Sequence, residues 1–106
     1  DWTSVPMRAL IAEQLRAFID QPADRLTLTG DHLMLKPEAA QNLGMVFHEL
    51  GSNAVKHGSL SVPGGRVHIE WRVEESDGPM LVLRWSETGG PTVRPPTTRG
   101  RQRQMC

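Results

Sequence analysis

The chain has few of the features that mark secreted, disulfide-bonded or membrane proteins. Its one cysteine, Cys106, is the last of 106 residues. This excludes an internal disulfide framework and a multi-cysteine zinc site, and it favours a reducing compartment. No hydrophobic run approaches the ~18 residues of a membrane-spanning helix, and residues 1–6 are neither basic nor apolar like a signal peptide. We therefore expect no membrane partner.

Acidic residues are absent from the last part of the sequence. Residues 88–106 hold four arginines and no Asp or Glu, whereas residues 1–87 hold eight basic and twelve acidic residues. Because residues 88–106 are also rich in Gly and Pro, they are predicted to form a loop and a basic tail outside the core. A few arginines without interleaved aromatics are weak support for nucleic-acid binding, so we expect no nucleic-acid partner.

The remaining composition is that of one folded domain. Hydrophobic residues make up 38% and charged residues 23% of the chain, which excludes a disordered polar chain. The apolar spacing predicts a helix over 7–19, a hairpin over 25–36, a long helix over 37–57 that ends before Gly58, and a second hairpin over 66–85. Helices packed on one face of a small mixed sheet, an α+β fold, would bury these apolar faces.

The long helix carries a polar stripe beside its apolar one. Glu49, Asn53 and His57 are spaced four residues apart, so they share one helix face, with Lys56 beside them. Oxygen ligands suit Mg²⁺ shared with substrate phosphates, and Glu49 could orient or deprotonate a water or a nucleophile. The plain alternative is a solvated helix face. His48 lies about 100° away around the helix, where a structural histidine is the simpler interpretation.

The second informative segment is WSETGGP, residues 85–91, in which a predicted strand runs into a glycine-rich turn. Gly89 and Gly90 would let a flat ligand approach the main chain closely, and Glu87 could accept a hydrogen bond from an exocyclic amine. The alternative is an ordinary strand exit. The chain holds no G-x-x-x-x-G-K-[ST] or G-x-G-x-x-G motif, so P-loop and Rossmann interpretations have no support.

Together, two segments resemble the ATP-binding catalytic domain of bacterial sensor histidine kinases of the HWE family. HELGSNAVKHGSLS, residues 48–61, resembles the N-box of that family, and WSETGGPTVRPP, residues 85–96, resembles its Trp-x-Glu element. The resemblance runs from Trp2 to Pro96, which suggests a partial domain over 1–96 and an atypical tail over 97–106. It implies a Bergerat-type α/β sandwich that binds ATP with Mg²⁺.

The resemblance also implies a role for each matching residue. Asn53 would be the Mg²⁺ ligand, and Glu49 would orient or activate water or the incoming imidazole. His48 would be the N-box histidine, and the resemblance implies that His48 and Glu49 are the catalytic residues. The cofactor-binding residues that remain are Lys56 and His57, which would approach the phosphates, and Glu87, Gly89 and Gly90, which would line the adenine pocket.

The chain departs from the family pattern in three ways, of which the mildest is that Gly51 and Ser52 stand where the family has a small residue and Thr. None of its four histidines lies in a phosphoacceptor helix, so the resemblance implies a separate phosphoacceptor domain of the same kinase, a response regulator downstream and a cytoplasmic location. Residues 97–106 do not continue the pattern, so we expect a sandwich without its third helix and ATP lid. The alternative is a module that has lost nucleotide binding and acts by protein docking or as a homodimer.

Overall fold

The computed structural model describes residues 4–91 and the backbone of residues 103–105. A long helix and a four-stranded mixed sheet dominate this part of the chain. The elements in chain order are β1 (Val5–Pro6), α1 (Met7–Leu15), α2 (Pro22–Arg25), β2 (Leu26–Gly30), β3 (Met34–Leu35), α3 (Pro37–His57), a 3₁₀ turn (Ser59–Ser61), β4 (Arg66–Glu75), β5 (Pro79–Thr88) and β6 (Arg103–Met105). The predicted α+β class is confirmed.

The larger sheet is mixed, as predicted, and has the strand order β2-β4-β5-β6. The strand β2 runs parallel to β4, whereas β4, β5 and β6 are joined by antiparallel pairings. The predicted hairpin over 66–85 is confirmed, and it is longer than expected because pairing extends from Arg66↔Thr88 to Glu75↔Pro79. Strands β1 and β3 form a separate antiparallel pair.

The helix α3 begins and ends where its sequence signals predict. Pro37 lies in the first turn together with Glu38, and Lys56 and His57 lie in the last turn. Acidic groups near the start and basic groups near the end of a helix are favourable for its dipole. The backbone N–H of Gly58 donates to the carbonyl oxygen of Ala54 and closes the helix.

One hydrophobic core joins the helices to the sheet. Alternate residues of β4 belong to this core, so α1 and α3 cover the same sheet face. The predicted helix over 7–19 ends as an α-helix at Leu15, but Ile19 is still buried. The most deeply buried side chains of the core are Met7, Ile11, Leu15, Phe47, Val67, Ile69 and Leu83.

The predicted hairpin over 25–36 is wrong. The strand β2 pairs in parallel with β4, with Leu26 opposite Val67, and β3 pairs with β1. Parallel neighbours need a crossover connection, which is usually a helix, and here α3 lies in the connection between β2 and β4. The alternating pattern of these segments correctly predicts strands, but such a pattern does not specify which strand each of them pairs with.

The predicted loop and tail over 88–106 is also wrong in one place, because β6 pairs with β5. The boundary at residue 96 lies outside the described residues, so the division into 1–96 and 97–106 stays a prediction. Within the described part of the chain, no helix combines the length and apolar character needed to cross a bilayer.

Candidate nucleotide site at the end of the long helix

The structure brings residues of the two sequence motifs together at the C-terminal end of α3. Asn53, His57, Gly58 and Glu87 line a cavity of about 300 Å³. Asn53, Gly58 and Glu87 are half-buried, and His57 is exposed. Three of the four lining residues are polar or charged, and His57 is solvent-exposed, so a charged ligand could reach the cavity without crossing the core.

Glu87 is fixed by two hydrogen bonds. Its Oε1 accepts from the backbone N–H of Ser59 at 2.8 Å, and its Oε2 accepts from the indole Nε1–H of Trp85 at 2.7 Å. A Cβ on Gly58 would overlap Glu87 Oε1, so glycine at position 58 permits this contact. Each carboxylate oxygen still has acceptor capacity for a ligand.

The Gly89–Gly90 turn packs against the chain's own backbone. Gly89 has φ of 70°, in the left-handed region that glycine adopts without strain. A Cβ there would lie 2.8 Å from the carbonyl oxygen of Gly64. A Cβ on Gly90 would lie 3.0 Å from the Cα of Ser59. The close approach to the main chain that was predicted for a flat ligand is therefore made, in part, by the segment of the chain that follows α3.

A residue outside both motifs holds that same segment. The guanidinium of Arg25 donates from Nε to the carbonyl oxygen of Gly65 at 3.0 Å. Its Nη2 donates to the carbonyl oxygen of Ser59 at 3.3 Å and to that of Val62. No sequence pattern marks Arg25, and Ser59 lies within the N-box-like segment but was assigned no role, so both were missed. The Trp85–Glu87 contact could have been expected, because residues two apart share one face of a strand.

The other predicted residues on α3 lie outside the cavity. His48 and Glu49 are exposed and line a separate open cleft of about 490 Å³ with Gln14 and Gly44. The ring of His48 meets that of Phe18 edge to face, with centroids 5.2 Å apart, which gives it a packing role between α3 and the turn after α1. Lys56 is exposed in the last turn of α3.

The donor set suits Mg²⁺ only in company with a ligand. Within residues 4–91 no group of three or more His, Cys, Asp or Glu side chains could hold a metal ion. Asn53 lines the cavity, and its side chain has one amide oxygen that could bind a cation. A cation bound through one protein oxygen, with waters and phosphates as further ligands, is a normal arrangement for Mg²⁺.

Comparison with known proteins relates the chain to signalling kinases. It is 40% identical over 93 residues to blue-light-activated histidine kinase 1 of Erythrobacter litoralis (strain HTCC2594), which is 88% of this chain and 25% of that protein. The chain is related to histidine kinases. It is also 34% identical over 101 residues to the blue-light-activated histidine kinase of Brucella ovis, covering 94% of this chain and 21% of the relative. The chain thus spans a quarter or less of the length of these relatives.

A solved structure shares the fold. The blue-light activated histidine kinase EL346 of Erythrobacter litoralis superimposes with a TM-score of 0.51 and 19% identity, over 78% of this chain and 29% of that one. At this identity the likeness concerns the fold alone. No family model matches the chain.

Proposed function

We propose that this chain is the ATP- and Mg²⁺-binding catalytic module of a two-component sensor histidine kinase. The observation that carries the proposal is the cavity in which Asn53, His57 and Gly58 from one motif meet Glu87 from the other. Gly58 and Glu87 are about thirty residues apart in the sequence, but in the fold they line the same cavity. The volume of this cavity, about 300 Å³, is at the lower end of the range for ligand pockets.

The chemistry of the cavity suits a nucleotide with its phosphates toward α3. The amide oxygen of Asn53 would hold Mg²⁺, which neutralises phosphate charge when it is bound. His57 and the nearby Lys56, both in the last turn of α3, would donate to phosphate oxygens. Glu87, fixed by Ser59 and Trp85, would accept from the exocyclic amine of adenine.

The kinase relatives support a place in two-component signalling. In this proposal the module presents the γ-phosphoryl group to a histidine on a separate phosphoacceptor domain, and a response regulator receives it afterwards. Glu49 lies one helical turn before Asn53 on α3 and outside the cavity, and in this proposal it would orient or activate the incoming imidazole. The proposed Bergerat-type arrangement agrees with a helix-covered mixed sheet whose long helix bears the Asn.

A second candidate is the light-sensing portion of such a kinase, because the names of the relatives specify blue-light activation as well as kinase activity. A ring-shaped chromophore needs a sizeable apolar pocket. One apolar cavity in residues 4–91 lies between α1 and β2, beside Leu15, Ile19 and Leu26, and measures about 190 Å³. This is below the range of about 300–1,000 Å³ for small-molecule pockets, so the nucleotide module is favoured.

Titration calorimetry with MgATP tests the proposal. The wild-type chain should bind, and Asn53→Ala should weaken binding by about 10- to 100-fold, as expected when a metal site loses a supporting group. Asn42→Ala is the matched control, because Asn42 is an exposed residue of the same helix far from the cavity. A folded wild-type chain that binds no MgATP refutes the proposal. Purification of the chain with a bound chromophore that absorbs blue light would establish the second candidate instead.

A further inference from the structure

The segment from Gly58 to Gly65, called the cavity loop below, is held at several points along its length. Its first residue, Gly58, lines the cavity. The N–H of Ser59 is bound by Glu87, and the carbonyl oxygen of Ser59 is bound by Arg25. At its far end, Gly64 packs against Gly89. The loop therefore connects the cavity wall to the turn that follows β5.

Arg25 makes an unusual number of contacts with this loop for one side chain. It lies at the end of α2 and is half-buried, and it donates to the carbonyl oxygens of Ser59, Val62 and Gly65. These partners are 34 to 40 residues away in the sequence. A planar guanidinium has five N–H donors in a fixed fork, whereas an ammonium is a compact point charge. Lysine at this position would not reproduce the three contacts.

A loop of this kind needs external contacts to keep one shape. Connecting segments are usually the most mobile parts of a domain. Inside the cavity loop, the backbone N–H of Ser61 donates to the carbonyl oxygen of Gly58, and that of Gly65 donates to the carbonyl oxygen of Val62. Binding costs less free energy when the site is already ordered before the ligand arrives. Arg25 is 34 residues from Ser59 in sequence, yet it binds the carbonyl oxygen of the same residue whose backbone N–H donates to Glu87.

We infer that Arg25 is a positioning residue for the nucleotide cavity: it touches no ligand, and it fixes the cavity loop so that Gly58 and Glu87 keep the shape that accepts the nucleotide. This inference rests on the proposed function. It assigns part of the nucleotide affinity to a residue that lies outside both motifs.

The test compares Arg25→Lys and Arg25→Gln with Arg16→Gln, a matched control whose arginine is exposed immediately after α1 and pairs only with Glu13 among the described residues. Calorimetry measures the Kd for MgATP, and amide hydrogen exchange measures the opening of the cavity loop. Both Arg25 variants should raise the Kd about tenfold, the scale of lost charge-assisted hydrogen bonds, and should exchange faster at residues 59–65. Arg16→Gln should change neither quantity.

Several outcomes overturn the inference. If the Arg25 variants exchange faster but keep the wild-type Kd, the loop has only a structural role, and the proposed function stands because the wild-type chain binds. If Arg25→Lys restores full affinity, charge suffices and the three-contact argument fails. A wild-type chain without MgATP affinity removes the proposed function and this inference together.

A measurement on the wild-type chain covers variants that fail to fold. Because a nucleotide in the cavity would contact the segment that Arg25 fixes, MgATP should slow exchange of the cavity-loop amides more than that of β4 amides near Val73, at the opposite end of the sheet. Unchanged exchange in the cavity loop on saturation with MgATP overturns the inference.

Discussion

The side chain of Glu87 accepts a hydrogen bond from the backbone N–H of Ser59 at 2.8 Å, and this contact joins the end of β5 to the segment that follows α3. The same carboxylate accepts the indole N–H of Trp85 at 2.7 Å. One half-buried acidic group thus ties a core tryptophan to the loop at the mouth of the cavity. Glu87, the acidic residue of the Trp-x-Glu element, therefore has a structural role that does not depend on a ligand.

Replacing Glu87 with Gln should destabilise the chain. The two donors contact different carboxylate oxygens, and in glutamine one of these positions becomes an NH2 donor, so either the Ser59 N–H or the Trp85 Nε1–H loses its acceptor. The free energy of unfolding should fall by about 1–3 kcal/mol, measured by urea denaturation. Glu13→Gln is the control, since Glu13 is exposed on α1 and pairs with Arg16 just after that helix. A stability equal to that of the control would show that the carboxylate is not needed at position 87.

Trp85→Phe isolates the second contact of Glu87. The substitution keeps an aromatic ring in the core but removes the indole N–H, so the free energy of unfolding should fall. Because Trp85 and Glu87 touch directly, the double variant Trp85→Phe/Glu87→Gln should be less destabilised than the sum of the single variants, with a coupling of about 0.5–3 kcal/mol. Strict additivity in the urea measurements would mean that the contact contributes nothing to stability.

Two glycines of α3 should respond in opposite ways to alanine. A Cβ at Gly51 would lie 2.6 Å from Phe18 Cδ2 and 2.9 Å from Leu15 Cδ2, whereas a Cβ at Gly44 would be 3.4 Å from its nearest neighbour, Gln14 Nε2. Overpacking costs about 1–3 kcal/mol, and alanine recovers about 1 kcal/mol of helix propensity over glycine.

Gly51→Ala should therefore lower the free energy of unfolding by up to about 2 kcal/mol, and Gly44→Ala should leave it unchanged or raise it slightly. Thermal unfolding of both variants beside the wild-type chain gives the comparison. Equal shifts for the two would contradict the close approach of α1 and α3 at Gly51.

Local signals were sufficient to predict the elements whose structure is decided locally. Proline in the first turn, the apolar period and Gly58 define α3, and Ser76–Pro79 closes the β4–β5 hairpin. The pairing of β2 with β4 was not predictable, because it joins residues about forty positions apart and parallel pairing leaves no turn signature. The two-residue strand β1 is too short to give an alternating pattern.

The candidate site could likewise be predicted only in part, because only some of its contacts are local in the sequence. The helical spacing of Asn53 and His57 puts both on one face, and the structure has them on one cavity with Glu87. The same spacing places Glu49 near them, yet Glu49 opens onto the other cleft, because the cavity is formed only where β5 and the cavity loop meet α3. The carbonyl contacts of Arg25 leave no trace in the sequence, since every residue carries a carbonyl.

A final prediction concerns Gly30, at the end of the parallel strand β2. A Cβ on Gly30 would overlap the indole ring of Trp71. That ring is held by a hydrogen bond from its Nε1–H to the carbonyl oxygen of Asp31 at 2.8 Å and by the guanidinium of Arg8, 5.0 Å from the ring centroid. Arg8 in turn donates to the carbonyl oxygen of Gly30 at 2.9 Å. Room for a methyl group at position 30 requires these contacts to move together.

Gly30→Ala should therefore lower the free energy of unfolding by about 1–3 kcal/mol, which corresponds to a fall in Tm of about 4–8 °C for each kcal/mol in a domain of this size. Gly64→Ala is the matched control, because apart from its chain neighbours no atom of the described residues lies within 4 Å of a Cβ there, and its Tm should equal or slightly exceed that of the wild-type chain. If Gly30→Ala unfolds at the temperature of Gly64→Ala, the indole ring yields without cost, and the contacts of Arg8 and Asp31 do not fix the parallel edge of the sheet.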